Sequence, residues 1–157
     1  DLHRRRHSFP TRRSSDLVFI DANIFLDRFD SSRRFHKSSI LAYGYLVHNA
    51  KLFTSCDIIT TLYYIGVKVN KNDILKNIQA ISKTLKIIEF SNKEVEETCQ
   101  LMLEDNRFVD LEDTIQYIMA KKQQCDLILS NDATFKSRDI RVISSEEFCL
   151  ENKIELE

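Results

Sequence analysis

Three aspartates and one asparagine stand beside apolar segments, where carboxylate chemistry could be assembled. Asp21 and Asn23 interrupt the hydrophobic stretch VFIDANIFLD, residues 18–27, and Asp132 follows the apolar run DLILS through SND. A buried amide costs about 2–7 kcal/mol unless it is hydrogen-bonded, so these polar side chains need partners. Asp113 lies in LEDTIQ, which has the pattern of a helix start. Clustered carboxylates repel one another unless a cation compensates them, and oxygen ligands suit Mg²⁺ or Mn²⁺.

The elements that must position these residues alternate along the chain. Apolar runs predict strands at 17–21, 51–54, 85–90, 126–130 and 140–143, and helical periodicity predicts helices near 23–29, 35–49, 56–68, 72–84, 92–104, 111–124 and 145–151. Such alternation favours an α/β fold with a parallel sheet covered on both faces. The binding crevice of a parallel sheet lies beyond the carboxyl ends of its strands, so Asp21 and Asp132 are expected at one rim, together with Asp113.

Two of the acids and the asparagine also have a purely structural interpretation. Asp113 stands three residues after Asp110, the spacing of a helix cap, and Asp132 could belong to a simple turn. Asn23 could cap a helix that begins at Ile24.

For two of the predicted helices, the sequence also predicts which side is buried. In the helix near 111–124, Leu111 and Ile115 are expected to face the core, with Gln116 and Tyr117 on a polar face beside Asp113. In the helix near 92–104, the apolar side chains are expected to be buried opposite an acidic exposed face; they are Val95, Cys99, Met102 and Leu103.

Composition narrows the possible classes of protein. The chain has 157 residues and a formal net charge of −1, so a nucleic-acid partner requires a local basic patch. No apolar run approaches the roughly 20 residues that cross a bilayer. The four cysteines are widely spaced, which favours a reduced, cytoplasmic setting over a disulfide or zinc framework. With only two glycines, the chain has no glycine-rich phosphate loop.

Residues 1–17 differ from the remainder. They contain five of the arginines and the only proline, and RRRHSFPTRRSSDL resembles a translated sequencing adapter. We interpret 1–17 as an artefactual, disordered leader; a basic nucleic-acid-binding arm or a transit peptide is the alternative. Residues 18–150 are then expected to form one domain, followed by a tail at 151–157.

Four segments resemble the PIN domain family, and within it the toxins of bacterial VapBC toxin–antitoxin pairs. They are VFIDANIFLD, TSCDIITTLYYIGVK, DLEDTIQYIMAKKQQCDLILSND and DIRVISSEEF. The resemblance implies a three-layer α/β/α domain with a central parallel sheet of about four to five strands. No single segment is decisive, but their order and spacing together are specific.

Carried over to this chain, the resemblance makes Asp21, Asp113 and Asp132 the catalytic, metal-binding acids. Asn23 would orient Asp21, and Ser130 would take the place of a small hydroxyl residue near the cleaved phosphate. The implied reaction is hydrolysis of an RNA phosphodiester with bound Mg²⁺ or Mn²⁺, leaving a 5′-phosphate and a 3′-hydroxyl.

The chain departs from the family at one acid position, where it has Thr61. Asp57 lies one helical turn earlier and could substitute directly or through water, or could only favour the helix N-terminus. The neutral Thr61 favours one tightly bound ion, with a second weak or absent. It also leaves open a second hypothesis, a catalytically impaired module that binds RNA or protein.

Partners follow from the resemblance and from charge. A cognate antitoxin, an RNA substrate and a homodimer are expected. RNA backbone contacts are predicted for Arg28, Arg33, Arg34 and Lys37, although such a charge run could equally be a solvated loop. A haloacid-dehalogenase-type phosphatase is disfavoured because it needs a second Asp where this chain has Asn23.

Overall fold

The architecture is a five-stranded parallel sheet with seven helices, seen in a computed structural model that describes residues 16–156. The strands are β1 (Leu17–Ile20), β2 (Lys51–Ser55), β3 (Lys86–Ile88), β4 (Leu127–Leu129) and β5 (Arg141–Ile143). The helices are α1 (Ala22–Phe29), α2 (His36–Asn49), α3 (Cys56–Gly66), α4 (Lys71–Thr84), α5 (Asn92–Glu104), α6 (Leu111–Lys122) and α7 (Ser145–Glu151). The strand order is β3-β2-β1-β4-β5 and every pairing is parallel, which confirms the predicted α/β class.

Strand β1 lies at the centre of the sheet because it is apolar on both faces. Val18, Phe19 and Ile20 are fully buried, and Val18 pairs with Leu52 of β2 on one side and Leu127 of β4 on the other. Strands buried on both faces read as continuous apolar runs, as β1 and β4 do. The carboxyl ends of β1 and β4 are therefore neighbours, and the polar residues that follow each strand meet.

Helix α6 buries Ile115, as predicted, but the rest of its buried surface differs from the one the sequence indicated. Leu111 is 57% exposed, whereas Gln116 and Tyr117 are each only 1% exposed. The helix packs against both α5 and β2, so its buried surface is wider than one stripe. Tyr117 can be buried because its hydroxyl donates to Oδ1 of Asp139 at 2.5 Å. The polar face predicted beside Asp113 was wrong.

Helix α5 corrects a second expectation. Glu94, Thr98 and Leu101 are its buried residues, while Leu103 is 80% exposed and Val95 41% exposed. Glu94 can be buried because its carboxylate accepts from the ammonium of Lys122 at 2.9 Å.

The ends of the domain extend slightly beyond the predicted bounds. Of the leader assigned to residues 1–17, only Asp16 and Leu17 lie within the described residues; residues 1–15 lie outside them. Leu17 begins β1, and the carbonyl of Asp16 accepts from the main-chain N–H of Lys51 at 2.9 Å. In the tail, Ile154 is partly buried against the core. None of the helices within residues 16–156 has the length and apolar character needed to span a bilayer.

Candidate active site

Asp21 is a buried carboxylate at the junction of β1 and α1. Its side chain is the N-cap of α1, where Oδ1 accepts from the N–H of Ala22 at 2.7 Å. Oδ2 accepts from Nδ2 of Asn23 at 2.8 Å and from the hydroxyl of Ser130 at 2.7 Å. Only 2% of Asp21 is exposed, yet these donors satisfy both oxygens. An acid can therefore stand inside the most apolar segment of the chain at acceptable cost.

Asn23 and Ser130 hold Asp21 from two different elements. Oδ1 of Asn23 accepts from the N–H of Asn131 at 2.9 Å, which leaves its Nδ2 facing Asp21 and the hydroxyl oxygen of Ser130. That hydroxyl oxygen also accepts from the N–H of Asp132 at 3.1 Å. The segment after β4 is thus fastened to the start of α1, in the arrangement that would let Asn23 orient Asp21.

Asn131 is a supporting residue that the sequence did not single out. Its Nδ2 donates to Asp27 at 2.7 Å and to Ser39 at 2.9 Å, and its Oδ1 accepts from the main chain and hydroxyl of Ser145 at 2.9 Å. One amide thereby joins α1, α2 and α7. Asparagine in SND reads as an ordinary turn residue, and its partners lie far away in sequence, so sequence patterns carry no signal for this role.

Asp113 lies in the first turn of α6, with its carboxylate free. Asp110 is the N-cap and accepts from the N–H of Asp113 at 2.9 Å. The carboxylate of Asp113 itself has no hydrogen-bond or ion-pair partner among the described residues. The capping interpretation is therefore correct for Asp110 and for the backbone of Asp113, but the acid of Asp113 remains available.

Asp132 follows β4 in a tight turn. Its Oδ1 accepts from the N–H and the hydroxyl of Thr134, at 2.8 and 2.7 Å. This is the turn geometry expected for an Asp after a strand. The turn fixes the Asp132 side chain beside Ser130, at the same edge of the sheet as Asp21.

The three acids interact electrostatically. Burial is the largest cause that raises the pKa of Asp21 to about 6, and the negative charge of Asp132 adds to it. Burial also raises the pKa of Asp113 to about 7, with further contributions from the charges of Asp21, Asp110, Asp132 and Glu112. Carboxyl groups with strongly raised pKa values, such as Asp21 and Asp113, concentrate at functional sites. Asp113 interacts electrostatically with both Asp21 and Asp132, and a site built from all three acids stays a prediction.

The carboxylate oxygens of the three acids suit a hard divalent cation, although the side chains are not arranged around one. Among residues 16–156, no group of three or more His, Cys, Asp or Glu side chains has an arrangement that could hold a metal ion. The fit therefore rests on donor chemistry, because carboxylate oxygens are ligands that Mg²⁺ and Mn²⁺ prefer.

The sequence model of the PIN domain matches residues 18–140. The chain belongs to the PIN domain family. Its similarity to one member is extensive: it is 47% identical over 137 residues to Ribonuclease VapC1 of Aquifex aeolicus (strain VF5), covering 87% of this chain and 95% of that protein.

Solved structures show the same fold at low identity. VapBC2 from Rickettsia felis, bound to a DNA fragment from its promoter, matches with a TM-score of 0.66 and 17% identity, over 82% of this chain and 98% of that one. VapC20 of Mycobacterium tuberculosis, a toxin that cleaves the sarcin–ricin loop, matches with a TM-score of 0.62 and 12% identity, over 75% and 92%. A toxin–antitoxin complex from Klebsiella pneumoniae matches with a TM-score of 0.63 and 20% identity, over 82% and 97%.

Within this PIN domain, the structure adds an acid beside Thr61. The hydroxyl of Thr61 donates to Oε1 of Glu112 at 3.1 Å. Burial is the main cause that raises the pKa of Glu112, the charges of Asp57 and Asp110 raise it further, and the Thr61 bond lowers it. Asp57 itself accepts a hydrogen bond from the hydroxyl of Ser55, and burial raises its pKa. A carboxylate from α6 therefore lies where α3 has a threonine.

The basic residues after α1 are only partly available in this PIN domain. The half-buried guanidinium of Arg28 lies 4.0 Å from the ring centre of Tyr43. Arg33 pairs with Asp27 at 3.3 Å and with Asp30 at 3.7 Å. Two further residues complete the predicted RNA-contacting set and are exposed; they are Arg34 and Lys37.

Proposed function

We propose that this PIN domain is a metal-dependent endoribonuclease and the toxin of a type II toxin–antitoxin pair. The observation that carries the proposal is the electrostatic interaction of Asp113, at the start of α6, with Asp21 and Asp132, which follow β1 and β4. The extensive identity to Ribonuclease VapC1 supports it.

In this proposal the acids have different roles because their surroundings differ. Asp21 is fixed by Asn23 and Ser130 and provides an oriented ligand. Asp113 has no competing hydrogen bond, so its carboxylate can turn toward a cation. Asp132 would provide the third carboxylate ligand. When bound, Mg²⁺ or Mn²⁺ would polarise a phosphate oxygen and favour ionisation of the attacking water.

The pKa of Asp113 also suits it to handle a proton. A carboxyl that titrates at about 7 in the metal-free site can exchange a proton near neutral pH, which is the range a general base requires. A bound cation would lower this pKa, so we assign Asp113 first to ligation. Ser130 donates its hydrogen to Asp21, which supports a positioning role for its hydroxyl.

The alternative, an impaired binding module, arises from Thr61. Glu112 weakens that alternative because it supplies a carboxylate in contact with the Thr61 hydroxyl. We propose Glu112 as the fourth acid of the site and Thr61 as its positioning residue. Asp57, bonded to Ser55, then has the supporting role.

The experiment compares the full chain with Asp113→Asn, using mixed-sequence RNA with Mn²⁺ or with chelator. Cleavage that requires the metal and disappears in Asp113→Asn is expected, together with a metal-induced rise in melting temperature that the variant loses. Asp73→Asn, an exposed acid in the first turn of α4, is the matched control and should behave like the wild type. A melting-temperature rise without cleavage would establish the binding module instead, and the absence of both would reject the metal site.

We infer the partners from the same relationship. Solved neighbours include VapBC proteins and a toxin–antitoxin complex, which supports a cognate antitoxin for this chain. RNA remains the proposed substrate, and the homodimer remains a prediction from the sequence.

A further inference from the structure

A second set of basic residues lines a hollow together with Asp113. A small hollow of about 30 Å³ lies beside Asp113, between the segment that leads into α6 and the turn that follows Asp132. Its wall includes Arg107 from the first segment, and Thr134 and Lys136 from the second. This volume is above the minimum that holds one water molecule. The hollow therefore admits only a small group, and a larger ligand must lie across its mouth.

Arg107 is held rigidly at this wall. Its guanidinium donates to both carboxylate oxygens of Asp105, with a shortest distance of 2.8 Å, and the arginine side chain remains 61% exposed. Arg138 also donates to Asp105, at 3.2 Å, from beyond the other side of the hollow. The two arginines hold the pKa of Asp105 well below its usual range. Both guanidiniums lie 5.9 Å from the ring centre of Phe108, so the segments on either side of the hollow are tied together.

Lys136 carries an unpaired charge. It is exposed and has no hydrogen bond or ion pair with any residue among 16–156. Arg107 on the same wall is already paired with Asp105, so Lys136 is the cation of this wall that has no partner among the described residues. The ammonium of Lys136 is thus available to an anion at the edge of the acidic rim.

The charges at this edge are mixed, because Lys136 and Arg107 share the wall with Asp110 and Asp113. RNA approaching Asp21, Asp113 and Asp132 is repelled by their carboxylates, and neighbouring cations must offset that repulsion. Phosphate contacts from lysine and arginine set the register of a nucleic acid without reading its sequence. Lys136 and Arg107 are the lysine and arginine that share a wall with Asp113.

We propose that Lys136 and Arg107 bind a backbone phosphate of RNA next to the cleaved bond, at the mouth of the hollow and away from the carboxylates inside it. The inference rests on the proposed ribonuclease function and names the place where its substrate is held. The strand would cross the mouth of the hollow, between the start of α6 and the turn after Asp132. The two residues are substrate-binding residues and take no part in metal ligation.

The test measures binding of a short fluorescein-labelled single-stranded RNA of mixed sequence, in chelator, over a series of KCl concentrations. Loss of one phosphate contact should reduce the slope of log affinity against log salt by about 0.7, which corresponds to about four-fold weaker binding at about 0.15 M salt. We expect this result for Lys136→Gln, whereas Lys136→Arg should retain wild-type binding. Arg107→Gln should weaken binding at least as much, and its melting temperature shows whether loss of the Asp105 pair has unfolded it.

Lys93→Gln is the matched control. Lys93 is exposed in the first turn of α5, near the Glu94–Lys122 pair at the opposite end of α6 from Asp113. The control removes the same charge and should leave affinity and salt slope unchanged. If Lys93→Gln weakens binding as much as Lys136→Gln does, the attraction is general and the proposed contact is wrong.

Two further measurements separate this inference from the proposed function. With Mn²⁺, Lys136→Gln should show a raised KM for RNA but the wild-type rise in melting temperature, because the metal ligands are intact. Wild-type affinity and slope in Lys136→Gln, with normal cleavage by the wild type, would overturn the phosphate contact and leave the ribonuclease standing. A wild type that neither binds nor cleaves RNA would overturn both.

Discussion

The hydroxyl of Thr61 in α3 donates a hydrogen bond to Oε1 of Glu112 in α6, across 51 residues of sequence. This contact supplies a carboxylate at the position where α3 itself offers none. It also lowers the pKa of Glu112, against the raising effects of burial and of Asp57 and Asp110. Thr61 is therefore a hydrogen-bond partner of Glu112. A negative charge from α6 lies next to the neutral threonine.

Thr61→Val should reveal this contact. Without the hydroxyl, the pKa of Glu112 should rise, and the free energy of unfolding should fall by about 0.5–1.5 kcal/mol near neutral pH. The loss should shrink in acid, where Glu112 is protonated with or without the bond. Urea denaturation across pH measures both effects. Thr60→Val is the control, because the hydroxyl of Thr60 is exposed and bonds only to the carbonyl of Asp57; equal, pH-independent losses in the two variants would contradict the assignment.

The metal-free protein should lose stability as pH rises through the range of the two shifted acids. In the unfolded chain Asp21 and Asp113 release their protons near pH 4, whereas in the folded chain they keep them until about 6 and about 7. The folded state therefore binds more protons between these limits, and the free energy of unfolding falls as pH increases. Thermal denaturation in chelator measures the slope.

Two changes should flatten that slope. Asp113→Asn removes one shifted acid, and added Mn²⁺ should favour the ionised carboxylates at neutral pH. A metal-free protein whose stability rises steadily over this pH range would show that the pKa values of the two acids are not raised as described.

The sequence was sufficient for the elements but insufficient for the partners of buried polar groups. The bounds of α5 and α7 agree with the helices predicted from periodicity and capping residues, and the parallel order follows from apolar runs that alternate with helices. The buried side of α6 could not be deduced, because Gln116 and Tyr117 read as polar and become buried through tertiary contacts. Tyr117 depends on Asp139, 22 residues away.

The same limit applied to the site. Asp21, Asp113 and Asp132 could be proposed from the sequence because strand ends and a helix start are local patterns. Glu112 could not, because only a hydrogen bond between α3 and α6 brings it to Thr61. A polar residue next to a stronger candidate cannot be recognised as a separate site residue from a single sequence.

The two glycines should respond in opposite directions to alanine. A Cβ at Gly66 would lie within 2.9 Å of side-chain atoms of Ile74, which is 3% exposed in α4. Gly66→Ala should therefore lower the free energy of unfolding by about 1–3 kcal/mol through overpacking between α3 and α4. Gly44 is exposed within α2, and its Cβ would meet nothing within 4 Å, so Gly44→Ala should raise stability by about 0.5–1 kcal/mol. Denaturant unfolding of both variants checks the pair, and a stable Gly66→Ala would show that Ile74 can move aside.

Ser130→Ala tests the support of the buried acid. The hydroxyl donates to Asp21 at 2.7 Å and accepts from Asn23 at 3.2 Å and from the N–H of Asp132 at 3.1 Å. Because the Ser130 bond lowers the pKa of Asp21, removing it should raise that pKa above about 6. The loss in the free energy of unfolding should be about 1.5–3 kcal/mol in mild alkali, where Asp21 is ionised, and smaller in mild acid. The acid limb of any metal-dependent cleavage should move to higher pH.

Ser82→Ala, which removes an exposed hydroxyl bonded to the carbonyl of Gln79, should change neither measurement. An equal loss of stability at both pH values would mean that Ser130 supports the turn alone and not the charge of Asp21.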